Sequence, residues 1–369
     1  MREKILKTMI WTTFSSLMIL GIAVFCLLMF MKRGLISSSE KAGYEARVMS
    51  GEAVATQTEA LLAEMSLDRA KLNDAAFSKL REAVEMAASS TALLYDHPER
   101  AGRAELTPAT SEQLGEKIPM VAFADEDVAS DPEVLEELSL LSNLQNELLS
   151  QNRQYEDITS DYVATESGLF LTVEEVTPAH IVPEGEHILF DARKRPWYED
   201  AKTAGTTVFT AVFLDADSGK PSISCAAPIY SETGEFLGVS GAGMYLDSMQ
   251  KGISDHQIGE AGFFCIVNQD GQVLFSGEEI GELGTSLKNG TDIRESTDPD
   301  LAELAKRAVK GEQDIVCIPM EGRQYYIAFA PMPTVGWSYL AILPEEEVTA
   351  PTDALYSMLQ ENTEKTLQT

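Results

Sequence analysis

Arg195 stands between a short run of mixed residues and two amphipathic aromatics, in the order Phe190-Asp191-Ala192-Arg193-Lys194-Arg195-Pro196-Trp197-Tyr198. A guanidinium offers a planar fork of N–H donors that matches a carboxylate or another small anion. Trp197 and Tyr198 supply apolar walls with polar tips. Pro196 suits the first position of a helix, because its φ is already helical and its missing N–H has no intrahelical partner there. Glu199 and Asp200 then fall in the first turn, where acidic side chains complement the helix dipole. An arginine held beside such a helix start is equipped to capture a small anion. The same residues also allow a plainer arrangement, in which Arg195 pairs with Asp191 or a backbone carbonyl and the rings fill the core.

Other chemistry is poorly represented. The four histidines, His97, His180, His187 and His256, are scattered, and His180 and His187 lack the spacing of a helical zinc motif. The sequence contains no Gly-x-Ser-x-Gly elbow, phosphate-binding Gly-Lys loop or Cys-x-x-Cys pair. Asp215, Asp217, Gly219 and Asp247 lack the full ligand series of a calcium loop and read as a solvated hairpin turn. Catalysis by this chain is not expected, and neither is a cofactor or a metal. A net charge of -31 argues against nucleic acid, since a polyanion would be repelled.

The elements that must position Arg195 follow from patterning. The chain has 369 residues, enough for two compact domains with extra helices. From Thr8 to Met31 it carries no charge, long enough for one membrane span, with Trp11 at an interface. Leu28-Met29-Phe30-Met31-Lys32-Arg33 offers no cleavage site, so an uncleaved anchor is expected rather than a removed signal. From Ser38 to Tyr95 there is no proline, and Val54, Leu61, Leu62, Met65, Leu72, Phe77, Leu80, Val84 and Met86 recur at helical spacing. One long stalk helix, or two nearly collinear ones, follows; its stripe could pack on the rest of the chain or on a second subunit.

His97-Pro98 ends that helix, and Ala101 to Ser130 reads as irregular connection. Asp131-Pro132-Glu133 opens a helix to about Arg153. Strands are expected over Tyr162–Ala164, Leu169–Val173, Val208–Leu214, Ile223–Tyr230 and Phe236–Ala242, giving an antiparallel sheet with flanking helices. A connecting helix over Leu246–Ile258 leads to a hairpin turned by Asp270-Gly271. Strands over Ile315–Met320, Gln324–Ala330 and Trp337–Leu343, with a helix over Pro299–Lys310, complete a second and smaller unit. There Tyr325, Tyr326 and Trp337 read as core and rim. Cys225, Cys265 and Cys317 sit in strand-like runs and read as buried thiols, with a Cys265–Cys317 bridge open if their strands are neighbours.

Arg195-Pro196-Trp197-Tyr198, Pro221-Ser222-Ile223-Ser224-Cys225-Ala226-Ala227-Pro228-Ile229-Tyr230 and Gly238-Val239-Ser240-Gly241 together resemble the double Cache (dCache) family of extracytoplasmic sensor domains, over roughly Lys41 to Glu347. The resemblance implies an α+β fold of two tandem PAS-like modules with antiparallel sheets, preceded by a transmembrane helix and a long stalk. It implies a small ligand in the membrane-distal module, lined by Arg195, Trp197 and Tyr198 with Phe190, Phe213 and Tyr230. In the version of the motif associated with amino acids, an acidic residue holds the ligand's ammonium group; the matching position here is Gly243, and Phe190 and Phe213 replace tyrosines. A buried ammonium without a carboxylate is costly, so the expected ligand is a carboxylate or other small polar metabolite and not a standard amino acid.

On this reading residues 1–7 are a cytoplasmic N-terminus, 8–31 the span, 38–96 the stalk, 97–246 the distal module, 247–343 the proximal module and 344–369 an exit helix towards a second span. The bulk of the chain is then extracytoplasmic, with the lipid bilayer and a second copy, through the stalk helix, as partners. The stretch Leu72-Asn73-Asp74 to Leu93-Leu94-Tyr95 also resembles the stalk of receptors that carry a PP2C-type, sporulation-family phosphatase, which implies such an output on a missing part of the protein or on another polypeptide. A ligand-free structural or dimerisation ectodomain is the alternative, and an exported membrane-anchored enzyme a more distant one.

Overall fold

A computed structural model of the chain describes residues 40–348 apart from 103, 155–156, 216–217, 256–257 and 286–289, with side chains from Thr56 onward. The expected span over 8–31 and nearly all of the exit helix over 344–369 lie outside the described residues. Among the described residues no helix is long and apolar enough to cross a membrane. Leu61–Glu345 form one compact unit; the other comprises Met1–Ala60 with Glu346–Thr369, of which helical residues 40–60 and 346–348 are described.

Helix α1 runs unbroken over Glu40–Asp96. Within the larger unit its buried positions include Leu62, Ser66, Ala70, Phe77, Leu80, Val84, Ala87 and Thr91, a stripe at steps of three, four and seven residues widened by Ala83 and Ala88. Strand β1 (Lys117–Phe123) follows, then the short helix α2 (Glu126–Ser130), α3 (Pro132–Leu141), α4 (Gln145–Gln154), β2 (Ile158–Thr165), β3 (Leu169–Glu175), α5 (Pro196–Ala204), β4 (Val208–Phe209), β5 (Phe213–Leu214), β6 (Pro221–Tyr230) and β7 (Phe236–Tyr245). These strands make one antiparallel sheet in the order β1-β3-β2-β7-β6-β4, with β5 also on β6. Helix α6 (Asp247–Ser254) leads to β8 (Phe263–Val267), β9 (Val273–Ser276), α7 (Pro299–Val309), β10 (Asp314–Met320), β11 (Arg323–Met332) and β12 (Trp337–Pro344), a second sheet ordered β10-β11-β12-β8-β9.

Three local expectations are corrected. The connection from Ala101 to Ser130 contains β1, whose Pro119 is tolerated because β1 is an edge strand paired only with β3. The helix expected from Asp131 to Arg153 breaks at a 3-10 turn over Ser142–Leu144, where the Ser142 hydroxyl donates back to Leu138 O at 2.7 Å. The strand expected over Val208–Leu214 is split at Thr210, whose hydroxyl oxygen accepts the Ser224 N–H at 3.1 Å in place of a backbone carbonyl.

The thiols divide two ways. Cys225 and Cys265 are buried, and burial pushes the Cys225 thiol up to about 12. Cys317 is exposed on the edge strand β10, and β11 and β12 separate it from Cys265 on β8. Three strand spacings, about 14 Å, exceed what a disulfide spans, so the bridge left open by the sequence is excluded.

Candidate functional site

Which partner Asp191 takes decides what Arg195 is left to do. The Asp191 carboxylate caps the 3-10 turn Ala192–Lys194. It accepts from Arg193 Nε at 2.8 Å and Nη2 at 3.2 Å, and pairs with Lys194 Nζ at 3.1 Å. Hydrogen bonding from Arg193 holds the Asp191 carboxyl down to about 2. Arg193 is fixed further by the Glu166 carbonyl at 3.0 Å and lies against Gly168, whose φ of +97° suits the turn between β2 and β3. The carboxylate that the plainer arrangement offers to Arg195 is therefore taken by Arg193 and Lys194. Among the described residues Arg195 has no ion pair, and its guanidinium carbon stands 4.6 Å from the centre of the Phe190 ring.

Pro196 opens α5, and Gly205 closes it in the left-handed conformation. Arg195 holds the N-cap position of α5 without a side-chain capping bond, and its exposed side chain stands at a cavity of about 960 Å³ over the sheet of β1 to β7. Trp197 faces this cavity with its ring 4.5 Å from Tyr162 and 6.3 Å from Phe170, and Phe170 is 4.9 Å from Phe190. These four rings form an aromatic wall. Phe213, from the short strand β5, lines the cavity and is 43% exposed, a large apolar surface left at the rim.

Of the six residues expected around a ligand, Arg195, Trp197, Phe190 and Phe213 line this one cavity. Tyr198 does not. It is fully buried on the other flank of α5, where its hydroxyl donates to Glu166 Oε1 at 2.7 Å and its ring meets Phe236 edge-on. Adjacent helical residues point about 100° apart, and here Trp197 takes the cavity side of α5 and Tyr198 the side of Glu166. Tyr230 also stands outside the lining, 39% exposed against Phe236 at 5.6 Å.

The sheet supplies a second wall. Cross-strand rows place Thr172, Tyr162 and Gly241 side by side, and next to them Glu174, Ser160, Gly243 and Ser224. A β-bulge sets Thr159 and Ser160 together against the single residue Gly243. A Cβ on Gly243 would come 2.8 Å from Thr159 Oγ1 and 3.0 Å from Ser160 Oγ, and one on Gly241 would come 2.5 Å from the Tyr162 ring. The two glycines make room for those side chains. The strand expected over Tyr162–Ala164 stops short of Ser160, and a bulge leaves no mark in the sequence that points to Thr159.

His187 reaches the cavity from the loop before Phe190, with Nδ1 3.2 Å from Glu126 Oε2. His180 Nδ1 accepts from Thr177 N at 3.1 Å, so in the neutral ring the proton sits on Nε2, 3.9 Å from Glu174 Oε1. Among the described residues no cluster of ligating side chains could hold a metal ion.

The model of the Cache domain, in its dCache_1 form, matches residues 45–352. This chain belongs to the dCache family. The match covers both sheets and the aromatic and hydroxyl walls described above. Among curated relatives, the methyl-accepting chemotaxis protein McpA of Pseudomonas putida is 31% identical over 152 residues, 40% of this dCache chain and 21% of that protein. McpG of the same organism is 24% identical over 247 residues, 66% of the chain and 32% of the relative. The dCache chain thus spans between 13% and 32% of the length of the curated relatives it matches. The sensory domain of the Campylobacter jejuni chemoreceptor Tlp3 superposes with a TM-score of 0.52 at 10% identity, covering 81% of this chain and 98% of that one. These relatives are chemotaxis receptors, and the phosphatase-linked group suggested by α1 has no support among them.

Proposed function

We propose that this dCache chain is the extracytoplasmic ligand-sensing region of a transmembrane signal-transduction receptor, and that it takes a small polar or carboxylate metabolite in the cavity over the distal sheet. The observation that carries this reading is Arg195, which has no ion pair among the described residues and stands at the mouth of a cavity walled by Trp197 and Phe190. A guanidinium with no carboxylate of its own has its fork free for an anion from solution. Phe190, stacked against the guanidinium, keeps it oriented. Ligand shifts a receptor between two arrangements only if it binds them with different affinity. A half-exposed rim that includes Phe213 is a surface whose burial could differ between them.

Amino acids are the rival ligand class. Tlp3 is described in complex with 4-methylisoleucine and with L-valine, in structures that share the fold of this chain at TM-scores of 0.51. Calorimetric titration of the chain with panels of organic acids and amino acids tests both. Binding that Arg195→Ala weakens at least tenfold supports the receptor reading. If no compound in either panel binds and Arg195→Ala only lowers stability, the chain is a ligand-free structural ectodomain. Leu72, Met86 and Leu93 recur at multiples of seven on the exposed side of α1 and are each more than half exposed. That stripe favours a homodimer through the stalk, which sedimentation equilibrium tests.

A further inference from the structure

The inner wall of the cavity contains polar atoms that the protein does not satisfy. Tyr162 OH and Thr172 Oγ1 are both buried and make no hydrogen bond of ordinary geometry among the described residues, although the Ser224 side chain lies close to Tyr162 OH. They stand directly opposite each other on β2 and β3, on the face that lines the cavity. A buried hydroxyl without a partner costs free energy, and such groups are few in folded proteins. Two side by side on a cavity wall are poised for a partner that arrives from outside.

Their neighbours have the same chemistry. The bulge aims Thr159 and Ser160 at the space above Gly243, and Ser224 flanks Gly243 on the other side. This part of the wall therefore offers five hydroxyls, each able to donate and to accept, with the Glu174 carboxylate at its edge. Three carboxylates reach the cavity in all. Asp215 Oδ1 is engaged by Ser218 through its backbone N–H and its hydroxyl, at 2.8 and 2.6 Å. Asp200 lies exposed on α5, and Glu174 lies beyond Ser160, on the side away from Gly243 and beside His180.

We infer that the ligand is a hydroxycarboxylate: its carboxylate meets Arg195, and its hydroxyl lies against Tyr162, Thr172 and the Thr159–Ser160 bulge. This rests on the receptor reading above and specifies its ligand. A ligand hydroxyl both donates to and accepts from these groups, so it satisfies them without bringing a charge into the wall. An ammonium group there would only donate and would be buried without a counter-charge. A site built to hydrogen-bond a hydroxyl discriminates strongly against analogues that cannot make the same bonds.

Matched pairs that differ only in hydroxyl against ammonium test the inference: glycolate with glycine, L-lactate with L-alanine, and L-malate with L-aspartate, each titrated into the full chain by calorimetry. The expected result is that in at least one pair the hydroxy acid binds at least tenfold more tightly than its amino twin. Tyr162→Phe and Thr172→Val should each weaken that binding at least fivefold. Because each removes a hydroxyl that makes no hydrogen bond of ordinary geometry in the empty protein, each should leave the ligand-free Tm unchanged or raised. No binding by any of the three hydroxy acids, an amino twin that binds equally or better, or undiminished binding by both variants would overturn the inference. So would a marked fall in the ligand-free Tm of Tyr162→Phe, because the hydroxyl would then be structural. Amino-acid binding lost in Arg195→Ala would sink the hydroxyl assignment and leave the receptor reading standing; titrations all indifferent to Arg195→Ala would sink both.

Discussion

The Tyr198 hydroxyl donates to Glu166 Oε1 at 2.7 Å, so the residue after the cavity-facing Trp197 ties α5 to the turn between β2 and β3. Glu166 also receives Lys202 Nζ at 2.8 and 2.9 Å. The next residue, Ser167, donates to Glu137 on α3, and Glu137 accepts in turn from Tyr95 in the last turn of α1. Hydrogen bonds, bridged by the Glu166–Ser167 peptide link, therefore join α5 to the end of α1.

Tyr198→Phe should separate stability from binding. Losing a hydrogen bond from a buried hydroxyl to a carboxylate costs about 1.5–3 kcal/mol. Urea unfolding should report a loss of that size, with ligand affinity changed less than threefold. Trp197→Ala, on the cavity side, should cost affinity at least tenfold. Similar affinity losses in the two variants would show that both side chains serve the ligand.

Tyr95→Phe and Glu137→Gln test whether the hydrogen-bonded set carries the signal. Burial, and the nearby Glu137 charge, push the Tyr95 hydroxyl well above the ordinary tyrosine range, so it stays a donor at every working pH. Ligand should slow hydrogen exchange at Leu93–Asp96 in the wild type. In either variant that response should shrink by at least half while calorimetric affinity stays within threefold. An unchanged exchange response would show that the bonds are structural only.

Asp161 gives the fold around β2 a pH dependence. It lies on the face of β2 opposite Tyr162, near Asn152, and burial pushes its carboxyl up to about 7 despite the Lys117 charge. A folded-state value above the unfolded one favours the fold fully below about pH 4, and that contribution is lost as pH rises towards 7. Asp191 works in the opposite sense: held at about 2, its contribution is present above about pH 4 and lost only below it. Thermal melts should therefore show Tm rising as pH falls from 7.5 to 5. Asp161→Asn should flatten that rise; an equal slope in the variant would remove Asp161 as its cause.

The thiols should report burial directly. With Cys26 replaced by serine, Ellman's reagent should label Cys317 within minutes in the native protein, and Cys225 and Cys265 only after denaturation. Labelling of more than one thiol per native chain would contradict the packing of β6 and β8.

Much of this was legible before the structure, for identifiable reasons. Pro196, the Asp270-Gly271 turn and the long proline-free run before His97 act within a few residues, so α5, the β8–β9 hairpin and α1 follow from local chemistry. Tyr198 was misplaced because the motif describes types and spacing, whereas its side chain's direction depends on Glu166 across the sheet. Asp191 likewise gave no sign of preferring Arg193 to Arg195. The hydroxyl wall needed three strands in register, and the bulge at Thr159–Ser160 is set by pairing with Gly243 rather than by its own residues.

Phe77 gives α1 a further role. Its ring is fully buried and meets Phe209 of the first sheet at 5.9 Å and Trp337 of the second sheet at 5.2 Å, nearly edge-on to both. One phenyl group thus works as a pin through two leaves. Any tilt of one leaf against the other must first swing that ring out of its seat, so motion between them would come in discrete clicks rather than as a gradual bend.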